Sequence, residues 1–270
     1  MNPVIVVAGA EGVLGRYACR YFSRLGFEVV AVSRRRESSA RNEDDGMHLE
    51  WDGKNVGAWA MALEGAEAVV NLADGDDLAA RIESTRALGK AVAGCRIAPR
   101  VWLNASTIDW YDRDHDRTHD EWSGEPGVSA VSRAALAWED AFFGAVVPPR
   151  TRKVAMRLGS VLAQENEAEK ISPSTASEAW LHMEDFLRAL EFLLDDAFFG
   201  GVANLTAPLE TEGEFGVRPL RLADEGFAWR WPQLAEAMKD LANRRDIDEF
   251  FEAMPILQVE RRNRIPVGIF

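Results

Sequence analysis

Three glycines, Gly9, Gly12 and Gly15, follow the apolar run 4–8 at the spacing G-x-x-G-x-x-G and precede a helical pattern. No other feature constrains the fold of this chain as much. A turn from strand to helix this tight needs one glycine, the approach of backbone to a pyrophosphate a second, and close packing of helix on strand a third. A helix that starts there also aims unpaired N–H groups and a positive dipole end at a bound phosphate. Val13, Leu14, Tyr17, Ala18, Tyr21, Phe22 and Leu25 recur at helical spacing, Gly26 stops the helix, and 28–32 reads as a second strand. The segment predicts a mononucleotide cradle lined by Gly9, Glu11, Gly12, Val13, Leu14 and Gly15.

Beyond the second strand comes Ser33-Arg34-Arg35-Arg36. At this distance from the glycines a dinucleotide site meets the adenine ribose, where a carboxylate favours NAD and an arginine accommodates the additional phosphate of NADP. A guanidinium grips such a phosphate through a bidentate fork. Ser33, Arg34 and Arg35 therefore point to NADP(H), in a chain whose formal net charge is −13. That acidic balance argues against nucleic acid or an anionic membrane as partner, because their phosphates would be repelled over most of the surface.

Strand and helix patterns alternate along the chain: strands at 47–51, 66–72, 100–105, 152–158 and 202–205, helices at 56–63, 78–95, 128–147, 185–194 and 232–241. Parallel strands need crossovers, so the alternation predicts an α/β fold, a doubly wound parallel sheet of Rossmann type. Residues 1–162 are expected to form the nucleotide-binding domain, 163–242 a small, shortened C-terminal substrate region, and 243–270 a tail with an amphipathic helix around Ile247, Phe250, Phe251 and Met254. Val128, Val131, Ala135, Trp138, Phe142 and Ala145 form one stripe on the helix from 128, facing the sheet or a second subunit in a homodimer. Cys19 and Cys95 lie in apolar helical patterns and read as small buried side chains. His115 and His119 fall in a charged loop and read as solvated, so no metal site is expected. With a strand beginning at Pro3 and no apolar run of membrane length, the expected location is the cytoplasm.

These residues resemble the extended short-chain dehydrogenase/reductase superfamily, specifically its atypical epimerase-family branch. The resemblance runs over about residues 3–242 and is carried by Gly9, Gly12 and Gly15; Asn71-Leu72-Ala73; Arg81-Ile82-Glu83-Ser84-Thr85-Arg86; Asn104-Ala105-Ser106-Thr107; Trp110-Tyr111; and Trp138-Glu139. Further along it includes Arg157-Leu158-Gly159-Ser160-Val161-Leu162, Trp180-Leu181-His182-Met183-Glu184-Asp185 and Gly226-Phe227-Ala228-Trp229-Arg230-Trp231-Pro232. It implies NADP(H) across the C-terminal edge of the sheet, touched by the glycine loop, Arg34, Asn71, Leu72, Ala73, Ala105, Leu158 and Gly159, with Asp52 a weaker candidate for the adenine end.

In that superfamily a tyrosine, its pKa near 10 lowered by a lysine four residues on, removes the hydroxyl proton while a serine orients the substrate. Ser106 matches the serine. The Tyr-x-x-x-Lys positions hold Ala130 with Ala134, or Val131 with Ala135, and neither pair can move a proton. The loop 163–179 and the segment 209–221 are also short, which removes elements that would shape a substrate pocket. The expected function is cofactor binding or regulation without standard turnover. The alternative is an NADP-dependent oxidoreductase or epimerase of a small carbonyl or sugar-like substrate, using Ser106 with Tyr111 as an unconventional proton donor. The resemblance also implies that His182 and Asp185 open a helix on the substrate side, which the aspartate caps or positions.

Overall fold

The computed structural model describes residues 2–34, 46–73, 78–112, 117–163, 179–210 and 216–255. Its main sheet is built from β1 (Val4–Ala8), β2 (Glu28–Ser33), β3 (Met47–Glu50), β4 (Ala68–Asn71), β5 (Val101–Thr107), β7 (Arg152–Leu158) and β10 (Gly201–Leu205). Two short parallel pairs, β6 (Thr118–His119) with β11 (Gly216–Val217) and β8 (Ser160–Leu162) with β9 (Trp180–His182), lie outside it. The seven strands run in the order β10-β7-β5-β4-β1-β2-β3, and every pairing is parallel. The chain proceeds from β1 to β2 and β3 on one side, then returns to place β4 on the other side of β1. The strand order therefore reverses between β1 and β4, where Ala8 pairs with Asn71.

Both faces of the sheet are covered, so the central strands read as unbroken apolar runs rather than as alternations. Ile5, Val7, Val29, Ala31 and Leu103 pack under α1 (Val13–Arg24) and α4 (Met183–Asp195). Val6, Val30, Val32, Val69 and Trp102 pack on the opposite face, under α2 (Leu78–Gly94) and α3 (Ala130–Phe143). Trp102 is fully buried there and meets Phe142 edge to face, with ring centroids 4.7 Å apart.

The helix predicted over 128–147 is shorter at both ends. Ser129 caps its start by accepting from the Ser132 N–H at 3.0 Å. At the other end the Lys153 ammonium donates to the carbonyls of Phe142, Phe143 and Ala145 at 3.2, 2.7 and 2.9 Å, which closes the last turn. The predicted stripe divides accordingly: Ala135, Trp138 and Phe142 are buried, whereas Val128 and Val131 are 76% and 58% exposed.

At the edge strand β10, side chains occupy backbone groups that would otherwise invite a further strand. The half-buried Glu121 accepts from the Asn204 N–H at 2.8 Å and from the Leu220 N–H at 3.1 Å, at the start of α5 (Leu220–Asp224), while Arg221 donates to the Val202 carbonyl.

After α6 (Leu234–Ala242), the tail helix α7 (Ile247–Ala253) docks back on α1. Phe250 meets Tyr17 edge to face at 5.0 Å, Arg20 pairs with Asp248, and Arg24 donates to the Phe251 carbonyl. His182 joins this end to β9 and α4. Its Nδ1 accepts from the Glu184 N–H at 3.1 Å, which puts the ring proton on Nε2, 3.2 Å from Asp240, and Asp240 in turn pairs with Arg244 at 2.7 Å. Asp185 accepts from the N–H groups of Arg230 and Trp231 at 2.7 and 2.8 Å, anchoring the tryptophan-rich segment. The cap of α4 is thus His182 rather than Asp185, whose carboxylate instead holds the 230–231 segment.

Candidate functional site

The C-terminal end of a sheet at its reversal point is where α/β folds bind ligands. The glycine loop follows β1 there, and Asn71, Leu72 and Ala73 end and follow β4. A Cβ at Gly9, whose φ is +82°, would lie 2.5 Å from the Ala73 backbone, and a Cβ at Gly15 would lie 2.1 Å from the Gly9 carbonyl oxygen. Both positions are closed to any side chain by the protein itself. Gly12 differs: its nearest protein neighbour is the Gly9 oxygen at 3.5 Å, an ordinary contact, and its φ of −69° suits any residue. Among the described residues, the Gly9 oxygen is thus the one neighbour within 4 Å of a Cβ at Gly12, which leaves room at the N-terminus of α1. Backbone N–H groups and the helix dipole face that room, which fits an anionic diphosphate.

Loop and strand ends are tied to each other. Asn71 donates to Asn104 Oδ1 at 2.7 Å and accepts from the Ala73 N–H at 3.2 Å, while the Gly9 N–H donates to the Val32 carbonyl at 2.9 Å. Glu11 accepts from Arg16 through its backbone carbonyl at 2.9 Å, and its buried Oε2 has no hydrogen-bond partner among the described residues. Val13 and Leu14 open α1 and pack against the core.

On the β2 side, Ser33 is buried and its hydroxyl lies 2.7 Å from His48 Nε2 on β3. Arg34 is exposed, and its Cδ lies 3.9 Å from where a Cβ of Gly53 would be. Arg35 falls outside the described residues. Asp52 uses its carboxylate within its own turn, accepting from the N–H groups of Asn55 and Lys54 at 2.8 and 2.9 Å and from the Asn55 amide at 2.7 Å. The Asn55 contacts, with that from Lys54, pull its pKa from 3.8 down to about 2. A depressed carboxyl stabilises the fold above its unfolded value and loses that contribution as pH falls through the folded one. The Asp52→Asn variant should accordingly melt below wild type at pH 7, the difference shrinking as pH drops from 3.8 to about 2. Thermal denaturation across that window checks this, with a carboxyl-carbon NMR titration of Asp52 beside it.

Across the reversal point, β5 and β7 end in Ala105, Ser106 and Thr107 and in Leu158, followed by Gly159. A Cβ on Gly159 would lie 2.4 Å from the Ala179 carbonyl, so β7 and the start of β9 pass in direct contact. Ser106 is 4% exposed and donates to Glu139 Oε1 at 2.6 Å. Glu139, on α3, is gripped by Arg157 of β7 through Nε and Nη2, both at 2.8 Å. The Arg157 guanidinium lies 3.5 Å from the Trp110 ring centroid. Burial alone would lower the Arg157 pKa; the hydrogen bonds and charge of Glu139 outweigh it and raise the value.

Tyr111 is 1% exposed, stacked on His119, with its hydroxyl 3.1 Å from both the Asp120 carbonyl and Asn204 Oδ1. Burial pushes its phenol further up. The expectation of a phenol poised over a ligand gives way to a packed side chain. His119 corrects a second expectation: it is buried beside Tyr111 and not solvated, because the chain folds inward to pair β6 with β11. His115 lies outside the described residues. Glu139 and Arg157 had no role assigned from sequence, although a charge within the buried face of α3 and an opposite charge in an otherwise apolar strand are together the signature of an interior ion pair.

Comparison with known proteins agrees with this geometry. The profile of the NAD dependent epimerase/dehydratase family matches residues 5–129. An epimerase family protein of Mycobacterium leprae is 27% identical over 243 residues, covering 78% of this chain and 75% of its own. The human epimerase family protein SDR39U1 (isoform 2), solved with NADPH, superposes with a TM-score of 0.72 at 22% identity, covering 88% of this chain and 99% of that one. A nucleoside-diphosphate sugar epimerase from Corynebacterium glutamicum reaches 0.74 at 18% identity, over 93% of this chain and 60% of that one. Among the described residues no helix is long and apolar enough to cross a membrane.

Proposed function

Because the chain belongs to the epimerase family of extended short-chain dehydrogenases/reductases, we propose that it binds NADP(H) across the reversal point of its sheet and works by holding that cofactor rather than by the superfamily's standard turnover. The observation that carries the reading is Gly12. The described residues demand glycine at positions 9 and 15 but not at 12, where an incoming diphosphate would. The glycine loop would hold the diphosphate, Asn71, Leu72 and Ala73 its middle, and Ala105, Leu158 and Gly159 would border the nicotinamide. At the adenosine end Ser33 and Arg34, with Arg35 beyond the described residues, would take the 2′-phosphate, and Asp52 lies in the turn next to Gly53. The bound nicotinamide would supply hydride chemistry. The residues that should move the accompanying proton are alanine or valine at the start of α3, and the Tyr111 hydroxyl is turned into the interior. That inventory supports holding the cofactor, as a sensor or as part of an assembly, over oxidation or epimerisation of a small carbonyl or sugar-like substrate.

Thermal shift tests the cofactor. NADPH should raise the melting temperature clearly more than NADH at equal concentration, since a ligand of the native state stabilises it by mass action. Arg34→Ala should lower NADPH affinity about tenfold and leave NADH unchanged, as expected for losing one charge-assisted contact of about 1.5–3 kcal/mol. An unaltered preference in that variant would place phosphate recognition elsewhere.

A further inference from the structure

The hydroxyls at the β5 end of the cleft have their protons turned inward. Ser106 donates to Glu139 Oε1 at 2.6 Å, and that carboxylate, forked by Arg157, has only acceptors to offer, so the single Ser106 proton must lie between them. Thr107 repeats the arrangement: it donates to Asp109 Oδ2 at 3.0 Å and accepts from the Asp109 N–H at 3.1 Å. The Tyr111 hydroxyl faces two acceptors, the Asp120 carbonyl and Asn204 Oδ1. Ser106 and Thr107 thus keep only lone pairs for a ligand, and the buried Tyr111 hydroxyl, also bonded by Arg157, offers it no proton.

We propose that Ser106 is a hydrogen-bond acceptor toward whatever occupies this end of the cleft, with Glu139 the positioning residue that makes it so. The compound held beside the nicotinamide then carries an O–H at that point, an alcohol rather than the corresponding ketone. A carbonyl oxygen set against Ser106 Oγ would face lone pairs and receive no hydrogen bond from the serine, and leaving a buried acceptor unmatched is what discriminates most sharply between ligands of equal shape. For the alcohol the polarity matches: its O–H donates to Ser106 Oγ, whose own proton stays on Glu139. The proposal rests on the cofactor reading for the neighbour of Ser106 but not for the position of the serine proton.

Two measurements test it. Neutron diffraction from perdeuterated protein without ligand should show the Ser106 deuteron on Oγ and directed at Glu139 Oε1. A deuteron aimed away from Glu139, or one carried by Glu139 itself, overturns the assignment. Saturation-transfer NMR on protein loaded with NADP⁺, the loading verified beforehand by calorimetry, should then show cyclohexanol bound about tenfold more tightly than cyclohexanone, the worth of one net hydrogen bond. In Ser106→Ala, which leaves the Glu139–Arg157 pair intact, the preference should disappear. Equal transfer from the two compounds, including none from either, sinks the selectivity. Failure to load NADP⁺ would instead count against the cofactor reading, and the neutron result would stand apart from it.

Discussion

Glu139→Ala should cost about 3–5 kcal/mol of folding stability, because it strands the guanidinium of Arg157 in the interior without its carboxylate. Arg157 is 4% exposed and Glu139 5%, and the two share a fork of 2.8 Å contacts, so no water can replace the lost partner without opening the junction of β5, β7 and α3. At about 2–4 °C per kcal/mol for a chain of this size class, the melting temperature should drop by roughly 10 °C. Replacing both partners by apolar residues of similar volume, Glu139→Leu with Arg157→Met, should recover most of the loss, since the pair repays little more than its own desolvation. Recovery should still be incomplete, because the double variant also gives up the stacking of Arg157 on Trp110, worth about 1–2 kcal/mol when shielded from water. Urea denaturation of the single and the double variant measures all of this, and a single-variant loss below about 1 kcal/mol would mean that the interior pair is far better hydrated than its burial implies.

Gly12→Ala and Gly15→Ala should separate binding from folding. At Gly12 a methyl group meets nothing closer than 3.5 Å, so the fold should hold to within about 1 kcal/mol, the usual cost of alanine at an N-cap. The same methyl fills the approach to the diphosphate, and NADPH affinity should fall about a hundredfold, equivalent to about 2.7 kcal/mol. At Gly15 the methyl would sit 2.1 Å from the Gly9 oxygen, so the loop must shift and both stability and binding should suffer. Calorimetric titration with NADPH, paired with thermal denaturation, tells the two apart. Wild-type affinity in Gly12→Ala would remove the central support for the nucleotide cradle.

Much of the fold was legible because the signals are local. β1 is found over Val4–Ala8 as read, α1 follows the glycine loop, and Gly26 ends the turn into β2 with φ at +84°. The short pairs β6 with β11 and β8 with β9 were not legible. Two- and three-residue strands carry no periodicity, and their partners lie far apart in sequence: Thr118 pairs with Gly216, and Ser160 with Trp180. The tail was readable as an amphipathic helix around Phe250 and Phe251, but not its destination, because an apolar face states that it must be covered and not by what. The aromatic faces of Tyr17 and His182 cover it here.

Within the candidate site the same division holds. The glycine spacing, the turn at Ser33-Arg34 and the serine near the end of β5 belong to contiguous motifs, so residue order alone places each at the C-terminal end of its strand. The direction of the Ser106 proton is another matter, since it depends on Glu139 33 residues away on α3 and on Arg157 18 residues further, three side chains that meet only because β5 and β7 are neighbours with α3 across them. Chain chemistry by itself determined an α/β fold of Rossmann type with a glycine turn between its first strand and first helix. Tertiary structure alone decided which polar groups face the ligand and which are spent inside, because hydrogen bonds between distant segments exist only once packing has excluded water from between them.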